Sequence, residues 1–174
     1  MKIFLFGDAR CGKSSAARFL AQSLGCEMAE TGQVVINELA KMYAAGNGSV
    51  DGMQTWSKLI NAGKCEFRKE LSVIGDLMTR ISPTYLIDEC GKRARIVVGV
   101  RRRREVLGYF QSCGRQSWNS IWIRVVARQP HSSDSSYELH GQPCDYEVQN
   151  TGDLNELQQK MYALARVIAS KSVA

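Results

Sequence analysis

The chain has 174 residues, enough for one α/β domain and too few for two ordinary ones. Hydrophobic residues make up 44% and charged residues 23%, the balance of a soluble globular protein. No apolar run approaches the roughly 20 residues of a membrane span, and the apolar stretch Ile3–Phe6 is too short for a signal peptide. We therefore expect a single cytoplasmic domain over residues 1–174, without membrane contact.

The spacing of the cysteines argues against a zinc site, whereas the charge leaves several functions open. The six cysteines form no C-x-x-C pair, and the two histidines lie near only Cys144, so we expect free thiols in a reducing compartment rather than a zinc site. The net charge is +6, and seven basic residues fall between Lys92 and Arg104. Such a cluster is typical of a solvated face, a nucleic-acid surface or a site for anionic ligands, and composition does not decide among them.

Hydrophobic periodicity predicts strands that alternate with helices. In chain order the predicted elements are strand Lys2–Phe6, helix Lys13–Leu24, strand Cys26–Ala29, helices Gln33–Ala45, Met53–Ala62 and Lys64–Ile81, a short helix opened by Ser82-Pro83, strand Arg95–Val100, helix Arg102–Ser112, strands Ser120–Ala127 and Tyr146–Val148, and a closing helix after Asp153. This order predicts an α/β domain with about five parallel strands and helices on both faces.

Two segments carry more specific expectations. The apolar residues of Lys64–Ile81 that we expect to face inward are Phe67, Leu71, Ile74, Leu77, Met78 and Ile81. The segment Arg128–Cys144 holds two prolines, four serines and two histidines between two strands. That composition is typical of a mobile loop, and we predict that it is a lid that closes over bound phosphates and excludes water.

The strongest functional signal is the segment of residues 7–14, which matches G-x-x-x-x-G-K-[ST] in full. Its glycines let the main chain turn so that N–H groups point at phosphates. Lys13 adds a cation near the β- and γ-phosphates, the Ser14 hydroxyl coordinates Mg²⁺, and the following helix offers its N-terminus to the anion. The sequence therefore predicts a P-loop protein that binds ATP and Mg²⁺. The predicted contacts are Gly7, Asp8, Ala9, Arg10, Cys11, Gly12, Lys13, Ser14 and Ser15.

Other features separate the classes of P-loop protein. The chain has no Asn-Lys-x-Asp motif of the switch GTPases. The strand Arg95–Val100 ends without the acidic residue that motor and transporter ATPases usually carry there. A short chain with a Ser- and Pro-containing loop late in the sequence is more typical of a small-molecule kinase.

Short patches in a shared order then connect the chain to a family. They are Arg10-Cys11-Gly12-Lys13, Phe67-Arg68-Lys69 with Gly75, Arg80, Pro83 and Tyr85, the pair Arg101-Arg102, Val125-Val126-Ala127-Arg128, Ser136-Tyr137-Glu138, Asp145, and Asn150-Thr151-Gly152-Asp153-Leu154. In these patches the chain resembles the deoxynucleoside monophosphate kinases of large tailed phages and, more distantly, animal-type phosphomevalonate kinases. A phage-encoded protein of this kind would work in the host cytoplasm.

The resemblance implies transfer of a phosphoryl group from ATP to a (deoxy)nucleoside monophosphate. The catalytic residues would be Lys13, Arg101 and Arg128, the last as an arginine finger at the start of the lid. The acceptor would be bound by Thr31, Arg68, Arg80, Arg101 and Arg102, because arginine suits bidentate phosphate contacts. For Thr31, capping of the next helix is a competing interpretation. For Arg68 and Arg80, the competing interpretation is a solvated helix face.

One position departs from the families. They carry an acidic residue two positions before the first arginine of the pair, and this chain has Gly99 there. Asp8 would then supply the missing carboxylate, or activity would be low. Two alternatives therefore stay open: a kinase for another small metabolite, and a nucleotide- or nucleic-acid-binding protein with weak or no turnover. The base, the sugar and the oligomeric state, a homodimer included, are also open.

Overall fold

A computed structural model describes residues 1–46, 52–114, 119–127 and 138–171. Strands and helices alternate as predicted. The elements are β1 (Lys2–Phe6), α1 (Lys13–Leu24), β2 (Met28–Glu30), α2 (Thr31–Gly46), α3 (Gly52–Ala62), α4 (Arg68–Ile81), α5 (Tyr85–Gly91), β3 (Ile96–Val100), α6 (Arg103–Cys113), β4 (Ser120–Ala127), β5 (Tyr146–Asn150) and α7 (Leu154–Lys171).

The five strands form one sheet in the order β2-β3-β1-β4-β5, and every neighbouring pair is parallel. The central strand β1 is apolar and fully buried from Ile3 to Phe6, as expected for a strand covered on both faces. Because all strands run the same way, their carboxyl ends lie along one edge of the sheet. The predicted α/β class, with five parallel strands, is confirmed.

Successive residues of β1 point to two different cores. Ile3 and Leu5 pack with residues of α1 and α7, whereas Phe4 and Phe6 pack with residues of α5 and α6. On that second face the rings of Phe4 and Trp122 stack, with their centroids 4.3 Å apart. Helices therefore cover both faces of the sheet. A third, smaller core joins α2, α3 and α4.

The helix α4 differs from its predicted form. It begins at Arg68 rather than Lys64, because the preceding residues form a turn in which the Gly63 carbonyl accepts from the Phe67 N–H. The prediction that Leu77 and Ile81 face inward is wrong, since they are 55% and 77% exposed. The buried residues of α4 are instead Gly75 and Thr79, and a Cβ on Gly75 would be in ordinary contact with Val35 of α2 at 3.5 Å.

Other boundaries shift by one or two residues, and the start of α5 differs as well. The helix α2 starts at Thr31, two residues before the predicted start, and β2 is moved to Met28–Glu30. The Ser82-Pro83 pair does not open α5; it lies in a turn whose Ser82 carbonyl accepts from the Tyr85 N–H, which suits proline at the second position of a turn.

The remaining global expectations concern the thiols and the membrane. All six cysteines are free, as predicted. Within the described ranges, no helix is both long enough and apolar enough to cross a bilayer.

Candidate functional site

The sheet topology opens a crevice beside the central strand. The chain leaves β1 toward α1 on one face and leaves the neighbouring β3 toward α6 on the other. Loops that diverge in this way leave a gap at the carboxyl edge, where open α/β sheets bind their ligands. The two sides of the gap are the segment Gly7–Ser14, here called the glycine loop, and the segment Arg101–Glu105, here called the arginine turn.

The shape of the glycine loop depends on main-chain angles that most side chains avoid. The φ angles of Gly7, Arg10 and Gly12 are +148°, +60° and +90°. A Cβ on Gly7 would lie 2.2 Å from the carbonyl oxygen of Val125, and a Cβ on Gly12 would lie 2.4 Å from Nδ2 of Asn150. Close packing against the Val125 main chain therefore requires glycine at position 7, whereas a Cβ at position 12 would displace the Asn150 side-chain amide. Both positions also have backbone angles that favour glycine.

Positive charge converges on this loop. The Lys13 ammonium donates to the Asp8 carbonyl oxygen at 2.5 Å and so lies across the loop. Gly12, the N-cap of α1, has no side chain to occupy the helix N-terminus, and the first turn holds no acidic residue. The helix dipole and the ammonium thus favour an anion at the same place.

One residue of the glycine loop, Cys11, and one residue of β5, Asn150, stabilise the loop. Cys11 is fully buried, and burial raises the pKa of its thiol against the opposing charge of Lys13, so the group is a neutral packing element. The Asn150 side-chain amide donates to the Cys11 carbonyl oxygen at 3.0 Å. The end of β5 therefore supports the loop directly.

The chemistry of these groups fits a nucleoside triphosphate with magnesium. Glycine backbone, a lysine ammonium and a helix N-terminus are suited to phosphates, and a Cβ at either glycine would collide with the loop's supports. Magnesium is commonly held by one or two protein oxygens together with phosphates and water. Ser14 and Asp8 offer such oxygens. The described residues contain no group of three or more His, Cys, Asp or Glu that could hold a metal by themselves.

The main chain of the arginine turn is bound by the carboxylate of Glu105, a residue that the sequence analysis did not identify. One oxygen of Glu105, Oε2, accepts from the N–H groups of Arg101 at 3.0 Å and Arg102 at 2.9 Å. Glu105 is 1% exposed and Arg102 is 7% exposed. Burial raises the pKa of Glu105, which the two N–H groups and the two guanidinium charges oppose. Burial likewise lowers the pKa of Arg102.

Asp76 on α4 gathers three guanidinium groups beside this turn. Arg80 Nε lies 2.8 Å from Oδ2, Arg102 Nε lies 3.3 Å from Oδ1, and Arg104 also contacts Oδ1. Burial acts to raise the pKa of Asp76, but hydrogen bonding to Arg104 and the three positive charges outweigh it and hold the pKa below its usual value. A cavity of about 460 Å³ opens here. Its lining is Ser72, Val73, Asp76, Leu77, Arg80, Arg102 and Glu138.

The predicted acceptor residues are only partly brought together. Arg80 and Arg102 line the same cavity, and Arg101 precedes Arg102 in the arginine turn. Arg68 is the first residue of α4, twelve positions before Arg80, which places their Cα atoms about 18 Å apart along the helix axis. Arg68 and Arg80 therefore do not converge on a single phosphate in this arrangement.

Thr31 and Gly99 are in direct contact. The Thr31 hydroxyl donates to the Gly99 carbonyl oxygen at 2.9 Å, and Thr31 is 4% exposed. Thr31 therefore joins the start of α2 to the end of β3. Gly99 has φ +96°, and a Cβ there would lie 2.9 Å from the Thr31 hydroxyl oxygen. The absence of an acidic side chain at position 99 thus has a conformational reason.

The predicted lid is described only in its last part. Arg128 and the rest of 128–137 lie outside the described residues. Beyond them, the Glu138 N–H donates to the Arg101 carbonyl at 2.8 Å, and Leu139 is fully buried. His140 Nε2 lies 3.6 Å from Asp8 Oδ1. These contacts anchor the end of the predicted lid to both sides of the crevice.

Compared with known proteins, the chain matches no family model and no curated sequence. Function is therefore inferred from the chain's own residues. The glycine loop was visible in the sequence. Asp76 and Arg104 were not, because their contact is tertiary and no local motif encodes it. Glu105 was also missed, although its hydrogen bonds to the N–H groups of Arg101 and Arg102 are local and are typical of a capping box at the start of a helix.

Proposed function

We propose that the protein is a P-loop kinase of the nucleoside monophosphate kinase type, transferring the γ-phosphoryl group of ATP to a nucleoside monophosphate, a deoxynucleotide in the first instance. One observation carries the proposal. A complete phosphate-binding motif follows the central strand and faces an arginine-rich turn across a crevice at the carboxyl edge of a parallel sheet.

The glycine loop would hold the triphosphate. Its N–H groups and the N-terminus of α1 would contact the phosphate oxygens, with Lys13 near the transferred group and Ser14 as the protein ligand to magnesium. Bound magnesium would supply charge neutralisation at the β- and γ-phosphates. Lys13 is already restrained by its bond to the Asp8 carbonyl, so its ammonium is positioned before any nucleotide binds.

The arginine turn and its neighbours would hold the acceptor phosphate. Four guanidinium groups, those of Arg80, Arg101, Arg102 and Arg104, stand against the carboxylates of Asp76 and Glu105. Even with both acids ionised, the cluster keeps an excess of positive charge. An acceptor phosphate is itself ionised near neutral pH, so the site needs positioning and charge rather than a strong general base.

The proposed role of Arg128 is supported only by its place in the sequence. Arg128 directly follows β4, which neighbours β1 on the side away from the arginine turn. Its proposed role is that of an in-cis arginine finger on the transferring phosphoryl group, and the residue itself lies outside the described ranges.

A nucleotide-binding protein without turnover is the second candidate. Gly99 favours it, because the acid expected near the end of β3 is missing and its restoration is opposed by the backbone angle. Asp8, with His140 beside it, is the acid of the glycine loop that could compensate.

Turnover assays distinguish these functions. The purified protein would be incubated with ATP, Mg²⁺ and each of the common ribo- and deoxynucleoside monophosphates in turn, with phosphomevalonate as a separate arm, and ADP formation would be followed. We expect ADP and a nucleoside diphosphate in equal amounts with at least one nucleotide. Turnover with phosphomevalonate alone would indicate a metabolite kinase. ATP binding without turnover on any acceptor would favour the second candidate.

A further inference from the structure

Glu138 lines the cavity beside the arginine turn, where the acceptor phosphate is proposed to bind. We propose that its carboxylate is an internal competitor for this site, and that it holds an anion position that the acceptor phosphate takes over on binding. The name of the acceptor rests on the proposed function, whereas the competition between a carboxylate and a phosphate does not. A residue of the chain itself thus lowers the affinity of the site for its substrate.

The carboxylate of Glu138 is bound at the start of helix α6. Its Oε2 atom accepts a hydrogen bond at 3.2 Å from the N–H of Arg103, the first residue of that helix. The first N–H groups of a helix have no partner within the helix, and together with the helix dipole they favour anions. The preceding N–H groups, those of Arg101 and Arg102, are already bound to Glu105. The N–H of Arg103 is therefore the next one that an anion could take, and Glu138 holds it.

Guanidinium groups meet the same cavity. Arg80 and Arg102 line it together with Glu138, and the side chain of Arg102 is only 8% exposed. A guanidinium enclosed to this degree belongs to a built charged site rather than to a flexible surface. The described lining contains two acids, Asp76 and Glu138, against these two arginines. The charge of Glu138 thus offsets part of the attraction that a phosphate would experience there.

Of the two acids, Glu138 is the one that can yield to a phosphate. Asp76 contacts three guanidinium groups of the cluster. The Glu138 carboxylate belongs to an exposed residue and, among the described residues, accepts only the hydrogen bond from Arg103. One solvent-exposed hydrogen bond from a neutral donor is weaker than several charged contacts to a single carboxylate.

The main chain of Glu138 is attached separately from its carboxylate. Its N–H donates to the Arg101 carbonyl oxygen at 2.8 Å, and its own carbonyl oxygen accepts from Arg103 Nε at 3.3 Å. Leu139, the next residue, is fully buried. The carboxylate can therefore rotate away while the backbone stays in place. If it occupies the anion position for about nine-tenths of the time, it lowers the apparent affinity for phosphate about tenfold.

Asp153 provides the matched control. Like Glu138, it is an acid at the start of a helix, and its Oδ1 atom accepts from the N–H of Glu156 at 2.8 Å in the first turn of α7. Asp153 is not among the described residues that line the cavity. Asp153→Asn and Glu138→Gln remove the same charge from the same kind of contact, but only Glu138→Gln removes it from the cavity. Loss of a plain helix cap lowers stability, whereas loss of a competitor raises the affinity for phosphate.

The test titrates wild type, Glu138→Gln and Asp153→Asn with inorganic phosphate. In ¹⁵N NMR spectra the Arg103 amide reports the cavity and the Gly12 amide reports the glycine loop, so the two phosphate sites are measured separately. Thermal melting reports the fold of each variant. For Glu138→Gln we expect an affinity at Arg103 about five- to tenfold higher than in wild type, with Gly12 unchanged. Asp153→Asn should match wild type at both amides.

Kinetics supply a second measurement. With the nucleoside monophosphate that the wild-type protein accepts, Glu138→Gln should lower KM for the acceptor by a similar factor and leave kcat unchanged. An equal or lower phosphate affinity at Arg103 in folded Glu138→Gln would overturn the proposal and leave Glu138 as a helix cap. An Arg103 amide that phosphate shifts in neither protein would overturn it as well.

Two further outcomes are separable. A wild-type protein that phosphorylates no monophosphate defeats the proposed function, while the phosphate titration still decides the role of Glu138. If Glu138→Gln fails to fold, Glu138→Asp takes its place, because the shorter side chain draws the carboxylate back from the Arg103 N–H. A phosphate affinity above that of wild type in this variant supports the proposal, and an equal or lower one overturns it.

Discussion

The two sides of the crevice are built in different ways. The glycine loop is shaped by its own backbone, with positive φ angles at Gly7, Arg10 and Gly12 and almost no room for side chains. The arginine turn has ordinary backbone and is held by side chains: Asp76 on α4 and Glu138 beyond β4 contact it from outside, and Glu105 accepts hydrogen bonds within it.

This difference determines how each side responds to change. A loop defined by close backbone packing loses its form when a single atom is added. The arginine turn is stabilised by several ion pairs and hydrogen bonds, and each contributes only part of its stability. The loss of one partner is therefore partly compensated by the others. The following changes test that contrast, from the largest expected effect to the smallest.

Lys13→Ala should have the largest effect on activity. Removing the ammonium from the loop should lower the rate of phosphoryl transfer by about 100- to 1,000-fold, because a preorganised charge at the transferred phosphate is lost. The fold should persist, since Lys13 is only part-buried and bonds to a loop carbonyl. Kinetics and circular dichroism would decide, with the exposed Lys92→Ala as control. Normal turnover in folded Lys13→Ala would contradict the kinase assignment.

Gly12→Ala should damage both stability and nucleotide binding. The added Cβ would lie 2.4 Å from Asn150 Nδ2, and the alanine would have to adopt the φ angle of +90° found at Gly12. We therefore expect a loss of about 2–4 kcal/mol in the free energy of unfolding. Gly25→Ala is the matched control, because Gly25 has φ +60° but nothing within 4 Å of an added Cβ. It should lose only about 1 kcal/mol and bind ATP normally. Equal effects in the two variants would show that backbone angle, not packing, defines the loop.

Gly99→Asp tests whether the missing acid can be restored. The new Cβ would lie 2.9 Å from the Thr31 hydroxyl oxygen at φ +96°, and we expect a destabilisation of about 1–3 kcal/mol without a gain in turnover. Gly99→Ala carries the same strain without the carboxylate. A folded Gly99→Asp that is faster than both wild type and Gly99→Ala would show that the site does lack an acid.

Asp76→Asn should have the smallest effect at neutral pH. Asp76 has a lowered pKa in the folded protein, so its contribution to stability is present above its ordinary pKa of 3.8 and is lost as the pH falls below it. Because Asp76 is one-third exposed, we expect less than about 1 kcal/mol. Melting curves from pH 2 to 7 should therefore be flatter at the acid end for the variant. An acid limb identical to that of wild type and of Asp88→Asn would show that the three arginines do not depend on Asp76.

The same contrast explains what the sequence could predict. Three elements were predicted with their observed bounds, namely β1 (Lys2–Phe6), α1 (Lys13–Leu24) and β4 (Ser120–Ala127). Hydrophobic periodicity and the glycines that end elements are local signals in the sequence. The glycine loop was predicted for the same reason, since its backbone geometry must be encoded by contiguous residues.

The arginine turn shows where prediction from the sequence stopped. Arg101 and Arg102 belong to a basic cluster whose role composition left open, and only the resemblance assigned them to the acceptor. Nothing in their neighbourhood indicates that Asp76, 26 residues away from Arg102, holds one of them. The orientation of α4 failed for a related reason. Leu77 and Ile81 match an inward-facing stripe, but α4 buries Gly75 and Thr79 instead, and the packing of α4 against α2 is set by the tertiary fold.

The bond from the Asn150 amide to the Cys11 carbonyl has a consequence for the order of assembly. It joins residues 139 positions apart. The same loop also packs closely, at Gly7, against the Val125 carbonyl of β4. During synthesis on the ribosome, the glycine loop is therefore made well before β4 and β5, which support it. A nascent chain that stops before β5 would contain the glycine loop without the Asn150 amide that bonds to it. The proposed binding of nucleotide should therefore arise only after β5 has been made.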